Sequence, residues 1–452
     1  MRERTSALTC AAPRVRRLRV MATPSSHVLT RGMDRVSILP HSCELTSEEE
    51  KREAYVVLCR LWSLSVRPPE RAHNPAANPT SIERGTLETL ATQRYLVSHK
   101  VDGVRFLLLM YRSPASGAPV ALLIDRRLKM WEIMVVAPLE AYDQGTLLDG
   151  ELAWRLRAHE HAQAERVYSA FDAVCVYGKC VVDEPYHARL NALANLLLLS
   201  PAQVKDVESH AAAAVQAALH DTASCGPIFD MLTEQRKVAA LPLGGARFVL
   251  EPKRAVPAQH VRMLCADGSN GLSTDGLVFT PDDAPVRTCT AHDTFKWKKR
   301  HTIDLLVQFS DKAADHVRFF VSKHRSAETE DVTEVAISGC CLCLEDESDN
   351  VLVNEQRRLA VAQGQPVRVL LECSVRVTGE HARLYPVKVR NDKNEANTLL
   401  TCARTIGNVR EAITKEDIFK ACERHHALSD YGAPTRDAAR AVDPVGGCAR
   451  VL

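Results

Sequence analysis

The sequence predicts an α+β body followed by a small β-barrel. From Tyr95 to Gln308 short strand-like runs alternate with helical stretches at no regular strand–helix period, which argues against a doubly wound sheet. After Ile303 the helical pattern gives way to five β-runs separated by polar turns. At 452 residues the chain is also longer than one ordinary core supports, so two or three domains are expected.

Taken in order, residues 1–20 carry six arginines against one acid, with Ser, Thr and Ala between them. That is the composition of a targeting presequence, or of a start placed upstream of Met21 or Met33, and residues 1–45 are read as an extension outside the fold. Ser47 to Val66 reads as a helix, because Glu48, Glu49 and Glu50 enrich its first turn and apolar residues follow at helical spacing. Pro68, Pro69, Pro75 and Pro79 then make a loop. Strands are expected at 105–111, 120–125, 167–177, 247–252 and 276–280, with helices at 187–199 and 206–220; the Ala-rich stretch from Ala211 to Leu219 is helical by propensity. These make an α+β domain over 46–301.

The later runs, at 303–309, 317–322, 335–344, 366–377 and 383–390, are read as five strands of a barrel over 302–412. The OB-fold, associated with nucleic acids, is the commonest small barrel of this kind. Ile413 to His425 reads as a final helix within 413–428, and the Gly-, Pro- and Ala-rich residues 429–452 as a flexible tail.

Lys plus Arg number 58 against 56 Asp plus Glu, so a purely electrostatic binder is excluded and any nucleic-acid partner must meet a local basic surface. No apolar run approaches the roughly 20 residues that a membrane-spanning helix requires, and a soluble protein with no membrane partner is expected. The 15 cysteines are scattered; Cys59, Cys175 and Cys373 lie inside apolar runs, as reduced thiols of a reducing compartment would. Cys340, Cys341 and Cys343 cluster without a second pair or a histidine at zinc-ligand spacing, so they are read as buried in a strand.

The sharpest chemical signal is Lys100-Val101-Asp102-Gly103-Val104-Arg105. A lysine can be a covalent nucleophile when desolvation or neighbouring cations populate its free amine. The competing reading is a solvated hairpin turn at Asp102-Gly103. Asp149-Gly150-Glu151-Leu152 and Asp275-Gly276-Leu277-Val278-Phe279 carry further acids, although an Asp-Gly pair by itself is more often a turn than a site. In Lys296-Trp297-Lys298-Lys299-Arg300 an extended backbone puts Lys296 and Lys298 on one face and Trp297 on the other.

These strings, in this order and followed by Arg390-Asn391-Asp392-Lys393, resemble the covalent nucleotidyltransferases, which comprise polynucleotide ligases and eukaryotic-type mRNA capping enzymes. The guanylyltransferase branch fits best. Asn78-Pro79-Thr80-Ser81-Ile82, Tyr168-Ser169-Ala170-Phe171-Asp172, Glu372-Cys373 and the ending at Asn397 look like capping-enzyme elements. The likeness runs from about Asn78 to Lys420. It departs at Ala396, where proline is frequent, and at Leu384 and Tyr385, where a tryptophan is common.

The resemblance implies an α+β nucleotidyltransferase domain of the ligase and capping type, ATP-grasp-like, followed by an OB-fold. It implies that Lys100 attacks the α-phosphorus of GTP, that Lys296 and Lys298 contact the α-phosphate, and that Asp275 serves a divalent metal, Mg²⁺ or Mn²⁺. Arg105 and Glu151 would hold the ribose, Phe171 would stack on guanine, Lys253 would reach O6, and Arg390, Asp392 and Lys393 would bind GTP from the barrel. The acceptor would be 5'-diphosphate RNA. With no HCxxxxxR loop and no Gly-rich methyl-donor pattern in the sequence, a separate RNA triphosphatase and a separate cap methyltransferase are expected, with the RNA polymerase II tail a further partner. The resemblance places the enzyme in the nucleus of a cell, or in a viral factory or the cytoplasm if its source is a large DNA virus. An ATP-dependent RNA or DNA ligase is the alternative enzyme, and an inactive RNA-binding relative the alternative of another class.

Overall fold

The computed structural model describes residues 44–68, 71–155, 165–197, 239–242, 248–310, 317–322, 334–338, 340–344, 347–379, 381–390, 393 and 395–428. The extension before 44, the helix expected at 206–220, Asp392 and the tail after 428 lie outside these residues. In chain order the elements are α1 (Glu48–Leu61), β1 (Asn78–Ser81), α2 (Leu87–Thr92), β2 (Tyr95–Val101), β3 (Val104–Arg112), β4 (Pro119–Ile124), β5 (Met130–Val136), α3 (Glu140–Asp143), β6 (Thr146–Arg155), β7 (Glu165–Val176), β8 (Lys179–Cys180) and α4 (Tyr186–Leu197). They continue with β9 (Ala239–Pro242), β10 (Phe248–Pro252), β11 (Ala255–Pro257), α5 (Val261–Asp267), β12 (Thr274–Pro281), β13 (Thr290–Lys298), β14 (Thr302–Phe309), β15 (Val317–Ser322), β16 (Glu334–Ile337) and β17 (Cys340–Leu342). The last are α6 (Glu347–Gln363), β18 (Val367–Thr378), β19 (His381–Val389), α7 (Leu399–Glu411) and α8 (Lys415–Leu428).

The chain is mixed α+β and mostly sheet. An eight-stranded sheet runs β10-β9-β5-β4-β3-β6-β7-β8, and a parallel pairing of β10 with β7 turns it back on itself. Its centre explains the apolar run Phe106–Tyr111. Phe106, Leu108 and Met110 face a core shared with Leu193, Leu196 and Leu197 of α4, while Leu107, Leu109 and Tyr111 face Val57, Leu58 and Leu61 of α1. A strand covered on both faces has no polar alternation to show. The start of α1 is set locally, by the Ser47 side chain accepting from the Glu50 amide at 3.3 Å.

A five-stranded sheet, β1-β13-β12-β2-β11, stands beside it. Its core face holds Tyr95, Val97, Leu277, Phe279, Phe295 and Trp297, and α8 closes that core with Ile418, Phe419 and Cys422. Helix α8 therefore packs against the first domain.

Strands β16-β15-β14-β18-β19-β17 make a third sheet of six strands rather than the five expected, because the run 335–344 divides into β16 and β17 at opposite edges. Laid flat, those edges would lie about 24 Å apart at about 4.8 Å per strand. Ile337 and Cys340 are joined by three Cα steps, at most about 11 Å. The sheet must therefore roll until its edges meet. Ile303, Leu305, Val307, Phe309, Leu371, Cys373 and Leu384 fill the interior, capped by Val353 and Ala360 of α6 and Cys402 of α7. Neither α6 nor α7 stood out in the sequence.

Cys59, Cys175 and Cys373 are buried. The cluster at Cys340, Cys341 and Cys343 departs from expectation: it lies on and just after β17, but Cys341 is exposed, because β17 is an edge strand with one open face. Among the described residues no helix is long and apolar enough to cross a membrane.

Candidate active site

Between the first body and the rolled sheet lies a cleft of about 900 Å³, with Lys100, Glu151, Asp275, Lys296 and Lys298 on one wall and Asp304, Glu372, Arg390 and Lys393 on the other. Two local devices build the first wall. Both Asp-Gly pairs, at 149–150 and 275–276, lie inside strands at breaks of register: Asp275 is the unpaired bulge residue of β12 against β2, whereas beside Asp149 and Gly150 the unpaired residue is Phe171 of the neighbouring β7. A bulge re-aims the side chain that would otherwise follow the strand's alternation. Glycine is required beside each because the neighbouring chain passes too near for a Cβ, which would stand 1.8 Å from the Trp297 carbonyl oxygen at position 276 and 2.5 Å from the Tyr168 ring at position 150.

The second device is the alternation of β13. Trp297 is buried among Leu277 and Phe295, so Lys296 and Lys298 face the cleft.

The bulge aims Asp275 between two amines. Its Oδ1 lies 3.0 Å from Lys100 Nζ, and its Oδ2 accepts from Lys298 Nζ at 2.9 Å. Burial alone would raise its pKa, but the two ammonium groups hold it below the usual carboxylate value. Oδ1 is buried and receives no hydrogen bond, although it faces Lys100 as an ion pair. A buried carboxylate oxygen with spare acceptor capacity, beside amines that can hold phosphate, fits a hard divalent cation that takes one protein carboxylate and its remaining ligands from substrate phosphate and water. No cluster of three or more His, Cys, Asp or Glu side chains able to hold a metal occurs among the described residues.

Lys296 is pushed down to about 8 by burial, with Lys298 and Lys100 adding like-charge repulsion. Glu151 is pushed up by burial, against the pull of Lys100, Lys253 and Arg105.

Phe171 and Lys253 come together, with Lys253 Nζ 5.2 Å from the ring centroid, but neither belongs to the wall of the large cleft. Burial brings Lys253 down to about 8, Glu151 opposing the shift and Lys100 adding to it. The guanidinium of Arg105 also lies over Phe171, at 5.3 Å. Arg105 itself is committed to the protein: it donates to both carboxylate oxygens of Asp149, at 2.9 and 2.5 Å, and to the Ala77 carbonyl at 2.6 Å. In this structure Arg105 anchors the floor of the site, with Asp149 buried beneath it.

On the facing wall, Arg390 Nη1 lies 3.0 Å from Asp304 Oδ1 and 3.1 Å from Glu372 Oε2, and Lys393 donates to the other oxygen of Asp304. Asp304 is in turn fixed by Asn397, whose side-chain oxygen accepts from its amide at 2.8 Å and whose amide donates to its carbonyl at 2.8 Å. Sequence reasoning overlooked Asp304 and Arg126 and gave no role to Asp149, named only within its Asp-Gly string; all three bear on this cleft or its floor. For Asp304 a signal existed, a lone acid in the apolar run Ile303–Val307.

A lysine amine held against a half-buried carboxylate, flanked by two more lysines and faced across a cleft by cations of a second body, is an arrangement that can bind and neutralise a phosphate group beside a nucleophilic amine. Residues 43–219 match the family model described as mRNA capping enzyme, catalytic domain. The chain is 22% identical over 364 residues, 76% of its length and 79% of the relative's, to the mRNA-capping enzyme subunit alpha of Schizosaccharomyces pombe. It is 22% identical over 377 residues, 77% of its length and 84% of the relative's, to the protein of the same name from Neurospora crassa. Among solved structures, a mycobacterial DNA ligase D complexed with ATP and MES aligns over 71% of this chain and 96% of that chain at 13% identity with a TM-score of 0.33.

Proposed function

We infer that this chain is an mRNA guanylyltransferase, transferring GMP from GTP to the 5'-diphosphate end of RNA through a lysyl-GMP intermediate. The observation that carries the reading is the convergence of Lys100 and Lys298 on Asp275 at the wall of a cleft whose other side presents Arg390 and Lys393. In the first step the Lys100 amine loses a proton and attacks the α-phosphorus; an N–P bond forms, the bond to the bridging oxygen breaks, and pyrophosphate leaves. Lys296 and Lys298 neutralise the α-phosphate as charge grows there. A divalent ion, Mg²⁺ or Mn²⁺, held by Asp275 would supply further charge neutralisation. Arg390 and Lys393 serve the departing phosphates, exchanging Asp304 and Glu372 for them as the cleft closes. In the second step a terminal oxygen of the RNA β-phosphate attacks the adduct, the N–P bond breaks, and Lys100 recovers its proton.

Phe171 as the base platform and Lys253 as the reader of O6 fit each other's placement, with Lys253 Nζ 5.2 Å from the ring centroid. Residues 302–412 are read as an OB-fold, supported by the curled order in which β14 pairs with β15 and β18 while β17 runs parallel to β19; residues 46–301 are then the nucleotidyltransferase domain, completed by 413–428. The relatives are named as an alpha subunit, which supports a separate triphosphatase as partner.

Incubation with α-labelled GTP or ATP, denaturing electrophoresis, then addition of diphosphate-ended RNA tests the reading. Label retained from GTP and passed to RNA is expected. Label retained from ATP would favour a ligase, and none an inactive binder.

A further inference from the structure

The outer face of the β18–β19 ribbon carries an arrangement that the chemistry above leaves unused. Val375, Ala382 and Leu384 point into the barrel core, so alternation turns Ser374, Arg376, Arg383 and Tyr385 outward. Arg376 and Arg383 are directly opposite in register and both exposed, and Ser374 is opposite Tyr385. Like charges directly opposite on a ribbon are unfavourable. Here the guanidinium of Arg376 lies 4.5 Å from the Tyr385 ring centroid, so the pair of cations shares its face with an aromatic.

The ribbon also leads somewhere. At the bulge between Glu372 and Cys373 the pairing passes from Ser374–Tyr385 to Glu372–Lys388, and Glu372 and Lys388 are on the wall of the cleft. Glu372, the acid on this path, is engaged by Arg390 and, at 3.7 Å, by Lys388. From Lys388 to Arg383 the strand covers about 17 Å at about 3.4 Å per residue, the reach of two or three nucleotides.

We propose that the outer face of β18–β19 is the track for the RNA acceptor: Arg376 and Arg383 bind phosphates, and Tyr385 stacks a base, of the nucleotides that follow the diphosphate end. Charge complementarity, an aromatic among cations and continuity with the cleft are the marks of a surface for single-stranded nucleic acid. A neutral or cationic peptide would gain nothing from two opposed arginines. The proposal rests on the guanylyltransferase reading, and it specifies which surface that enzyme uses to hold its polymeric substrate.

The test uses the full-length protein preloaded as lysyl-GMP, with diphosphate-ended RNA either a dinucleotide or about ten nucleotides long, the longer spanning the few contacts of such a track. Wild type should use the longer RNA at lower concentration. The exposed double substitution Arg376→Ala, Arg383→Ala should raise the half-saturating concentration of the longer RNA about tenfold or more and reduce the slope of log affinity against log salt by about 1.4, at about 0.7 per phosphate contact. Adduct formation and use of the dinucleotide should be unchanged. Tyr385→Ala should cost about tenfold on the longer RNA, and Tyr385→Phe, which keeps the stacking surface, should not. Equal losses on both lengths, or none on the longer RNA, would overturn the track. Failure of the wild-type chain to form any adduct from GTP would overturn the underlying function instead, and the two outcomes are read on separate gels.

Discussion

Trp297 donates its indole N–H to the carbonyl of Ile413 at 2.8 Å, so the strand that presents Lys296 and Lys298 is tied through its buried face to the turn just before α8. The chain leaves the first body after Lys298, builds the rolled sheet, and returns at Ala412, a left-handed residue with φ 48° between α7 and α8. Both crossings between the two bodies thus meet at one place.

The return helix should be indispensable to the first body. Ile418 and Cys422 are fully buried against Leu90, Val261 and Phe279. Ile418→Ala should destabilise by about 2–5 kcal/mol, as large-to-small core changes do. Trp297→Phe, which keeps most of the ring and loses the hydrogen bond, should cost about 1 kcal/mol. Denaturant melts of the two variants check the ranking; equal stability of Ile418→Ala and wild type would mean that the helix merely rests on the surface.

The floor of the site depends on one ion pair. Asp149→Ala would leave the Arg105 guanidinium, now bidentate to that carboxylate, without its partner in a nearly dry environment. Removing one partner of such a pair costs about 3–5 kcal/mol. Asp149→Asn, which keeps one acceptor oxygen, should cost less. A melt in which Asn costs as much as Ala would show that the carboxylate's charge, and not a retained acceptor oxygen, carries the pair.

The nucleophile and the clamp separate by half-reaction. Lys100→Arg should form no lysyl-GMP, because a guanidinium does not release its proton. Lys393→Ala should slow adduct formation from GTP by about 10²-fold or more, the usual cost of a lost charge-assisted contact in a closed site. Its preformed adduct should pass GMP to RNA at a near-normal rate. Single-turnover measurement of both steps decides this: loss in the second step of equal size would assign Lys393 to RNA binding or to the fold.

Base choice should depend on pH. Below about 8 the Lys253 amine is charged and can only donate, which suits guanine O6 and leaves the adenine amino group without an acceptor. Above it the neutral amine also accepts, so preference for GTP over ATP should fall as pH rises through about 8. Lys296 titrates in the same range, but it serves the phosphate of either nucleotide and cancels in the ratio. Adduct yields from the two nucleotides between pH 6.5 and 9.5 are the measurement; a constant ratio would remove Lys253 as the base reader.

The linear order of Lys100, Glu151, Asp275, Lys296 and Lys298 was readable because each sits in a short string whose chemistry does not depend on distant residues. So was the α+β character, and so was the facing of Lys296 and Lys298 away from Trp297, which needs only an extended backbone. The Asp-Gly pairs misled in one respect. Local propensity reads them as turns, whereas both lie inside strands at breaks of register, with Asp275 bulged on its own strand and Phe171 bulged opposite Asp149-Gly150, and a bulge exists only relative to a neighbouring strand.

By itself, then, the sequence determined which groups could do the chemistry, since residue type and spacing are local properties. Tertiary structure alone decided what those groups touch. It committed Arg105 to Asp149, set Arg390 and Lys393 against Asp304, and folded α8 back onto the first body. It also split one β-run into the two edges of a rolled sheet. The reason is physical: a buried charge must find its counter-charge wherever the fold brings one, and an apolar helix face must find a core to complete, and neither partner is written next to it in the chain.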